Sequence, residues 1–343
     1  MRRILLVDST LYAPASPFFV DAAEDLGYEP LFVDEAPFLR PLETSLIQKA
    51  GYRLLAKRPL TYWALNRTVL READQFRPHR MLAVKGTYIM PAVLRWIKGE
   101  TGALLVNYAT DDPFNPANAT PDLLASIPFY DLYACTKRAI MTDVARAGCP
   151  RVAYIPFAYK PAVHFPEQPS DEAEAKRFRS DVVLIGGADP DRLPYVEALA
   201  RIPDLSLALY GGYWTRYASQ RRFARGFAIG RDYRLALSGA KIGLCLLRRA
   251  NRDGHAMRSF EIPACGAFML AERTEEHLDL FKEDEEAVFF SSPEEMVDKV
   301  RYYLSHDEAR ERIGWAGHVR IMSGGHTYQD RLREIIRLTA QTR

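Results

Sequence analysis

DGHAMRSFEIPACGAFMLA, residues 253–271, reads as one helix-to-strand unit. A polar loop through Gly254 and His255 opens a helix at about Ser259. Ile262–Cys265 is small and apolar, suited to burial. Gly266 then stops the helix, and Phe268–Ala271 has strand character. Outward from it the same alternation recurs. Val182–Ile185, Leu205–Tyr210 and Ile242–Leu246 read as strands before it, and Ala287–Phe290 after it. Helical periods fall at Leu193–Ala200, Glu275–Leu280, Pro293–Ser305 and Asp307–Ala316.

The first half repeats the pattern. Strands are predicted at Ile4–Val7, Pro30–Val33, Met81–Val84, Ala103–Asn107, Asp131–Ala134 and Val152–Ile155. Helices are predicted at Phe18–Leu26, Trp63–Gln75, Pro91–Lys98 and Lys137–Ala147. Short β-branched runs alternating with helices mean parallel sheets covered on both faces. Residues 156–180, with several prolines and alternating charge, have linker composition. Thr327 can cap a last amphipathic helix through Leu338. The expected organisation is two α/β domains, 1–158 and 159–325, followed by a closing segment, 326–343. A length of 343 residues suits two domains at roughly 100–200 residues each.

Composition narrows the function class. The hydrophobic fraction is 48% and the charged fraction 26%, ordinary globular values, and the net charge of +2 demands no nucleic-acid partner. Cys135, Cys149, Cys245 and Cys265 are scattered, with no C-x-x-C and no clustered His, against zinc and against a disulfide scaffold. A reducing cytoplasm fits best. The apolar run Ile4–Val7 is strand-length and ends at Asp8, too short for a signal peptide, and no apolar run is long enough to span a membrane.

Open parallel sheets bind ligands at strand carboxyl ends. Ile4–Val7 is followed by DSTLYAPAS rather than G-x-G-x-x-G, against a dinucleotide dehydrogenase, and neither a P-loop nor a G-x-S-x-G elbow occurs. Gly186-Gly187, directly after a strand and before a helix, lets backbone approach a diphosphate, with Arg192 as a charged donor. The same pair also serves as an ordinary turn. Gly211-Gly212 is similar and weaker. In the 253–271 stretch, Arg258 and the helix start at Ser259 can face a phosphate. Glu261, in the first turn, can accept ribose hydroxyls or be a plain helix-start acid. Asp253 and Glu261 are separated by seven residues, with His255 between them, either on sugar hydroxyls or on solvent.

Arg258–Ala271 resembles the signature of the CgeB-like (spore-maturation) glycosyltransferases, a branch of the GT-B enzymes. KGTYIMP (Lys85–Pro91), NYATDDPF (Asn107–Phe114), IPFAYKPAVH (Ile155–His164) and GGHTY (Gly324–Tyr328) agree in the family's order, the C-terminal half more specifically. The resemblance implies two facing Rossmann-like domains with an interdomain cleft. It places the nucleotide-sugar chiefly on the C-terminal domain and the acceptor on the N-terminal one. The closing helix packs back on the N-terminal domain. In many retaining members two Glu separated by seven residues contact donor sugar and ribose; Glu261 matches the second, and Asp253, one methylene shorter, holds the first place.

A transferase without a bound metal must meet the diphosphate charge with Arg, Lys and helix termini. Arg258 and Arg192 are the candidates, with Lys160 behind them. Asp111-Asp112, past a strand end on the acceptor side, offers a general base or a turn cap before Pro113. Lys85, at another strand end there, is read the same two ways. His164 and His326 read as structural. Residues 40–80 hold nine Lys/Arg against three Asp/Glu, interleaved with Tyr52, Tyr62, Trp63 and Phe76. That is either a solvated helix face or a surface for an acidic or lipid-linked acceptor or a membrane. The leading expectation is hexosyl transfer from a UDP-, GDP- or dTDP-sugar to a glycan, protein or small molecule. A non-hydrolysing nucleotide-sugar epimerase and a non-catalytic nucleotide-sugar-binding protein are the alternatives.

Overall fold

The computed structural model describes residues 2–11 and 15–340. Met1, Tyr12–Pro14 and Gln341–Arg343, which the expected domain spans include, lie outside the described residues. The chain forms two compact units, Met1–Pro156 with Tyr328–Arg343, and Phe157–Thr327.

The first unit holds six strands: β1 (Arg2–Asp8), β2 (Tyr28–Asp34), β3 (Arg80–Val84), β4 (Leu104–Ala109), β5 (Leu132–Cys135) and β6 (Val152–Tyr154). They pair in parallel in the order β2-β1-β3-β4-β5-β6. All five residues of β3 are buried, the continuous burial expected when helices cover both faces. Helix Tyr62–Phe76 supplies one cover, burying Leu65, Val69 and Ala73 at four-residue spacing. Helix Tyr328–Ala340 belongs to this unit. The Tyr328 ring packs on Phe18 and Phe19, and Arg331 Nε donates to the Pro156 carbonyl at 3.0 Å.

The second unit holds β7 (Ser180–Ile185), β8 (Leu207–Tyr210), β9 (Ala240–Cys245), β10 (Met269–Glu272) and β11 (Val288–Phe290), in the order β11-β10-β9-β7-β8. The period of two along β7 sends Val183 and Ile185 into one core and Val182 and Leu184 into the other.

Three segments differ from expectation. The stretch read as a linker carries a helix, Glu172–Phe178, whose Asp171 cap accepts the Glu174 N–H at 2.8 Å. Seven residues with one buried, Phe178, are too few to show a period. The helix from Asp307 runs to Ser323 instead of Ala316. Its Gly314 and Gly317 are buried: an added Cβ would lie 3.2 Å from the Phe268 backbone and 2.3 Å from the Glu286 carbonyl. These glycines permit close approach rather than ending the helix. The helix predicted over Lys137–Ala147 begins as a 3-10 turn, Arg138–Ile140, before α-helix Met141–Arg146.

In each sheet the strand order reverses once, between β1 and β3 and between β7 and β9. Outside the carboxyl ends at such a switch point lies the natural crevice for a ligand.

Candidate functional site

At the switch point of the second unit, Gly186-Gly187 follow β7 and press against a neighbouring glycine turn. Gly186 N–H donates to the Tyr210 carbonyl (2.7 Å), Ala188 N–H to Gly212 (2.9 Å), and Trp214 Nε1 to the Gly186 carbonyl (2.7 Å). Gly211 sits at φ 132°, and a Cβ there would fall 2.5 Å from the Gly186 carbonyl carbon. A Cβ on Gly186 would meet Arg192 Nη1 at 2.7 Å. The sequence suggested room for a diphosphate; the space beside Gly186 is taken by the Arg192 guanidinium.

Arg192 donates from Nη1 to the Gly187 carbonyl (2.9 Å) and from Nη2 to Leu246 (3.3 Å), while its buried Nε has no partner among the described residues. Burial, then the neighbouring Arg258 and Arg248 guanidinium groups, pull its pKa down to about 10. Arg258 donates from Nε to the Ile185 carbonyl at 2.9 Å and lies 4.0 Å from Glu261 Oε2. Three guanidinium groups thus converge at the ends of β7 and β9. Sequence reasoning missed Arg248, although its place just past a predicted strand end was the available signal.

Asp253 is anchored inside its loop. Its Oδ2 accepts the Arg248 N–H at 3.2 Å, and its Oδ1 accepts Asn251 Nδ2 at 2.7 Å. Glu261 is 4% exposed, and its Oε2 accepts the Tyr233 hydroxyl at 2.7 Å. His164 Nε2 stands 3.6 Å from the other oxygen, while its Nδ1 accepts the Lys160 N–H at 3.0 Å. Burial pushes His164 below the usual imidazole range, with Glu261 opposing. His326 packs its ring against Phe260 at 5.5 Å.

Two expectations need correction. His255 is fully buried, with Nδ1 2.5 Å from Glu276 and Nε2 accepting the Phe157 N–H at 3.1 Å, so it offers sugar hydroxyls no free nitrogen. Ser259 is also fully buried. Its Oγ accepts the Ala256 N–H (3.0 Å) and lies 2.7 Å from His277 Nε2, whose Nδ1 donates to the Glu272 carbonyl. Burial drives His277 down to about 4, which keeps that ring neutral. Helix Arg258–Ala264 has seven residues, and the Ser259, Phe260 and Glu261 N–H groups already bond to Ala256 and Met257 carbonyls. Those three N–H groups are therefore already engaged and not open to an anion at this helix end.

At the switch point of the first unit, Lys85 and Gly86 turn the chain after β3 with φ 63° and 68°. Gly86 is required there: a Cβ would lie 2.7 Å from both Asn107 Nδ2 and the Tyr130 hydroxyl. The turn brings Lys85 Nζ to 2.9 Å from Asp111 Oδ2. Asp112 is 2% exposed, and its Oδ1 accepts the Phe114 N–H at 2.9 Å, which is turn-capping. A cavity of about 180 Å³ opens here, lined by Asp8, Glu35, Lys85, Asp111, Asp112 and Tyr133 among others. Glu35 Oε1 and the Tyr133 hydroxyl are buried and have no hydrogen-bond partner among the described residues. Burial, then Asp8, push the Glu35 carboxyl up to about 8 against the pull of Lys85. Glu35 follows Asp34 at the end of β2, with no motif around it to single it out.

Among the described residues, no group of three His, Cys, Asp or Glu side chains is arranged to hold a metal ion, and no helix is long and apolar enough to cross a membrane. The four cysteines are buried free thiols.

Residues 192–337 match the model of a family described as glycosyl transferase-like. No curated protein matches the chain in sequence. Solved structures share its fold throughout. HepE of Anabaena, in complex with UDP and glucose, superposes with a TM-score of 0.70 at 14% identity, over 99% of this chain and 100% of that one. Sucrose-phosphate synthase of Thermosynechococcus elongatus gives 0.69 at 13%, over 100% and 99%. A glycosyltransferase of Rickettsia africae gives 0.63 at 12%, over 98% and 97%. The later part of the chain is thus similar to a glycosyl transferase-like family, and the whole chain has the GT-B-like fold of two parallel α/β sheets.

Proposed function

We propose that the chain transfers a hexose from a uridine diphosphate sugar to an acceptor hydroxyl. The observation that carries this reading is the arginine cluster at the β7/β9 switch point. Arg192, Arg248 and Arg258 repel one another there, and one buried donor of Arg192 is unused. A diphosphate would add negative charge between the three guanidinium groups and an acceptor for the Arg192 Nε. The uridine preference is supported by the HepE structures, solved with UDP and with UDP-glucose on the same fold. In this reading the charge is met by arginine rather than by a bound metal, so a chelator leaves activity unchanged. The CgeB-like branch remains our placement within the transferases, on Arg258–Ala271.

Each residue then has a chemical task. Arg258 and Arg192 stabilise the diphosphate as the bond from the anomeric carbon to its oxygen breaks and the electron pair leaves with it. Glu261, buried beside Tyr233, accepts ribose hydroxyls, and Asp253, fixed by Arg248 and Asn251, faces the donor sugar. The acceptor oxygen bonds to the anomeric carbon and gives its proton to a carboxylate of the first unit. Asp111, held by Lys85, and Glu35 are the candidates; Asp112 shapes the loop that carries Asp111.

Titration calorimetry with UDP tests the donor site. A charge-assisted hydrogen bond contributes about 1.5–3 kcal/mol, so Arg192→Ala and Arg258→Ala should each weaken UDP binding at least about tenfold. Unchanged affinity in both variants would overturn the assignment. Turnover of UDP-sugar to an epimeric sugar nucleotide, without any acceptor, would instead make the protein an epimerase.

A further inference from the structure

Helix Leu46–Leu54 of the first unit buries none of its residues. Leu46, Ile47 and Leu54 are 80%, 76% and 84% exposed. At roughly 100° per residue these three and Ala50 fall within one stripe about 100° wide. Lys49 and Arg53, both exposed, fall together along one edge of that stripe. On its other side the helix is held down: Leu60 packs at Gly51, whose Cβ would lie 2.8 Å from Leu60 Cδ2, and Leu60 N–H donates to Gln48 Oε1 at 3.2 Å. The apolar stripe is therefore fixed facing outward, with half-exposed Leu60 extending it on the side away from the basic edge.

A core helix turns such a stripe inward, and scattered exposed leucines need no explanation; a row of three beside two cations does. The flanking charge names the occupant. Over residues 40–58 the chain has Arg40, Lys49, Arg53, Lys57 and Arg58 against the single acid Glu43. Lys57 is engaged with the Pro116 and Ala119 carbonyls and Arg58 with Asp122. Arg40, Lys49 and Arg53 remain exposed beside the stripe. Aliphatic side chains that enter an acyl layer, bordered by cations that meet headgroups, are the features of a helix lying in a membrane interface.

The geometry points to helix Leu46–Leu54 as a docking surface for an anionic lipid bilayer, with Leu46, Ile47 and Leu54 inserted and Arg40, Lys49 and Arg53 on the headgroups. This surface is separate from the nucleotide chemistry and does not depend on it.

Flotation with phosphatidylcholine vesicles, with and without phosphatidylglycerol, tests it. The wild-type chain should float with the anionic vesicles at low salt, and at least tenfold less with the neutral ones or in 0.5 M salt. Leu46→Gln with Ile47→Gln and Leu54→Gln, or Lys49→Glu with Arg53→Glu, should each abolish flotation while leaving the melting temperature unchanged. These residues are exposed, so the fold does not need them. Failure of the wild type to float with anionic vesicles overturns the proposal, as does undiminished flotation of the triple variant. A wild-type dimer in light scattering that the triple variant dissociates, without any flotation, would assign the stripe to a second copy and also overturn it.

Discussion

Replacing Glu35 by glutamine should make the protein more stable, increasingly so as the pH rises from about 5 to 8. The Glu35 carboxyl titrates near 8 instead of 4.5, raised first by burial and then by Asp8, with Lys85 opposing and Asp34 adding a little. Between those two pH values the folded chain keeps a proton that the unfolded chain has released. Stability contributed at this position therefore falls as the pH rises through that window and is lowest above pH 8. At roughly 1.4 kcal/mol per pH unit the full window is worth about 5 kcal/mol, and relaxation around the cavity lowers the expected figure to about 2–5 kcal/mol. An amide carries no charge and escapes this cost. Urea unfolding of wild type and Glu35→Gln at pH 5 and pH 9 measures it, on whichever transition the substitution moves. The two chains should agree within about 1 kcal/mol at pH 5 and separate at pH 9 with the variant ahead. Equal midpoints at pH 9, or a variant weaker at both pH values, would mean that Glu35 is a satisfied structural group, and its candidacy as proton acceptor would go with it.

Other expectations bear on the second unit and on the Lys85 pair. His277, held near 4 by burial, binds no proton in the fold where the unfolded chain binds one, so stability should fall by about 3 kcal/mol as pH drops from 6.5 to 4; a flat profile in acid unfolding would contradict it. Gly211→Ala places a methyl 2.5 Å from the Gly186 backbone at φ 132° and should cost at least about 2 kcal/mol in urea unfolding. Glu261→Ala should abolish the thermal shift that UDP produces, and an undiminished shift would remove Glu261 from the nucleotide site. Lys85→Met breaks an ion pair whose lysine is 42% exposed, so the unfolding midpoint should move by less than about 1 kcal/mol, while turnover falls if Asp111 depends on Lys85 for its placement.

The fold class was legible because parallel sheets leave long marks in a sequence. Buried strands such as Leu82–Val84 and Val182–Ile185 are unbroken apolar runs, and helices such as Pro293–Ser305 carry a capping serine and a clean period. Helix Glu172–Phe178 was not legible, since seven residues around one phenylalanine show no period. The helix from Asp307 was expected to end at Ala316, just before Gly317: a glycine that ends a helix and one that lets a neighbour press close look alike in one dimension.

The candidate site divides along the same line. Lys85 and Asp111 were candidates because they follow strand ends, and Arg258 and Glu261 because they open the helix within residues 253–271, where the family resemblance is strongest. The fate of His255 and Ser259 depended on partners at Glu276 and His277, brought near by another helix, and no spacing within residues 253–271 reveals that both side chains are already bonded. Glu35 and Tyr133, nearly a hundred residues apart, line one cavity only because β2 and β5 belong to one sheet. Sequence by itself determined the alternation of strands and helices, because burial on both sheet faces acts on consecutive residues. Which polar groups are left without a partner was decided by tertiary packing, since satisfaction of a buried hydrogen-bonding group depends on what the whole fold brings within about 3 Å of it.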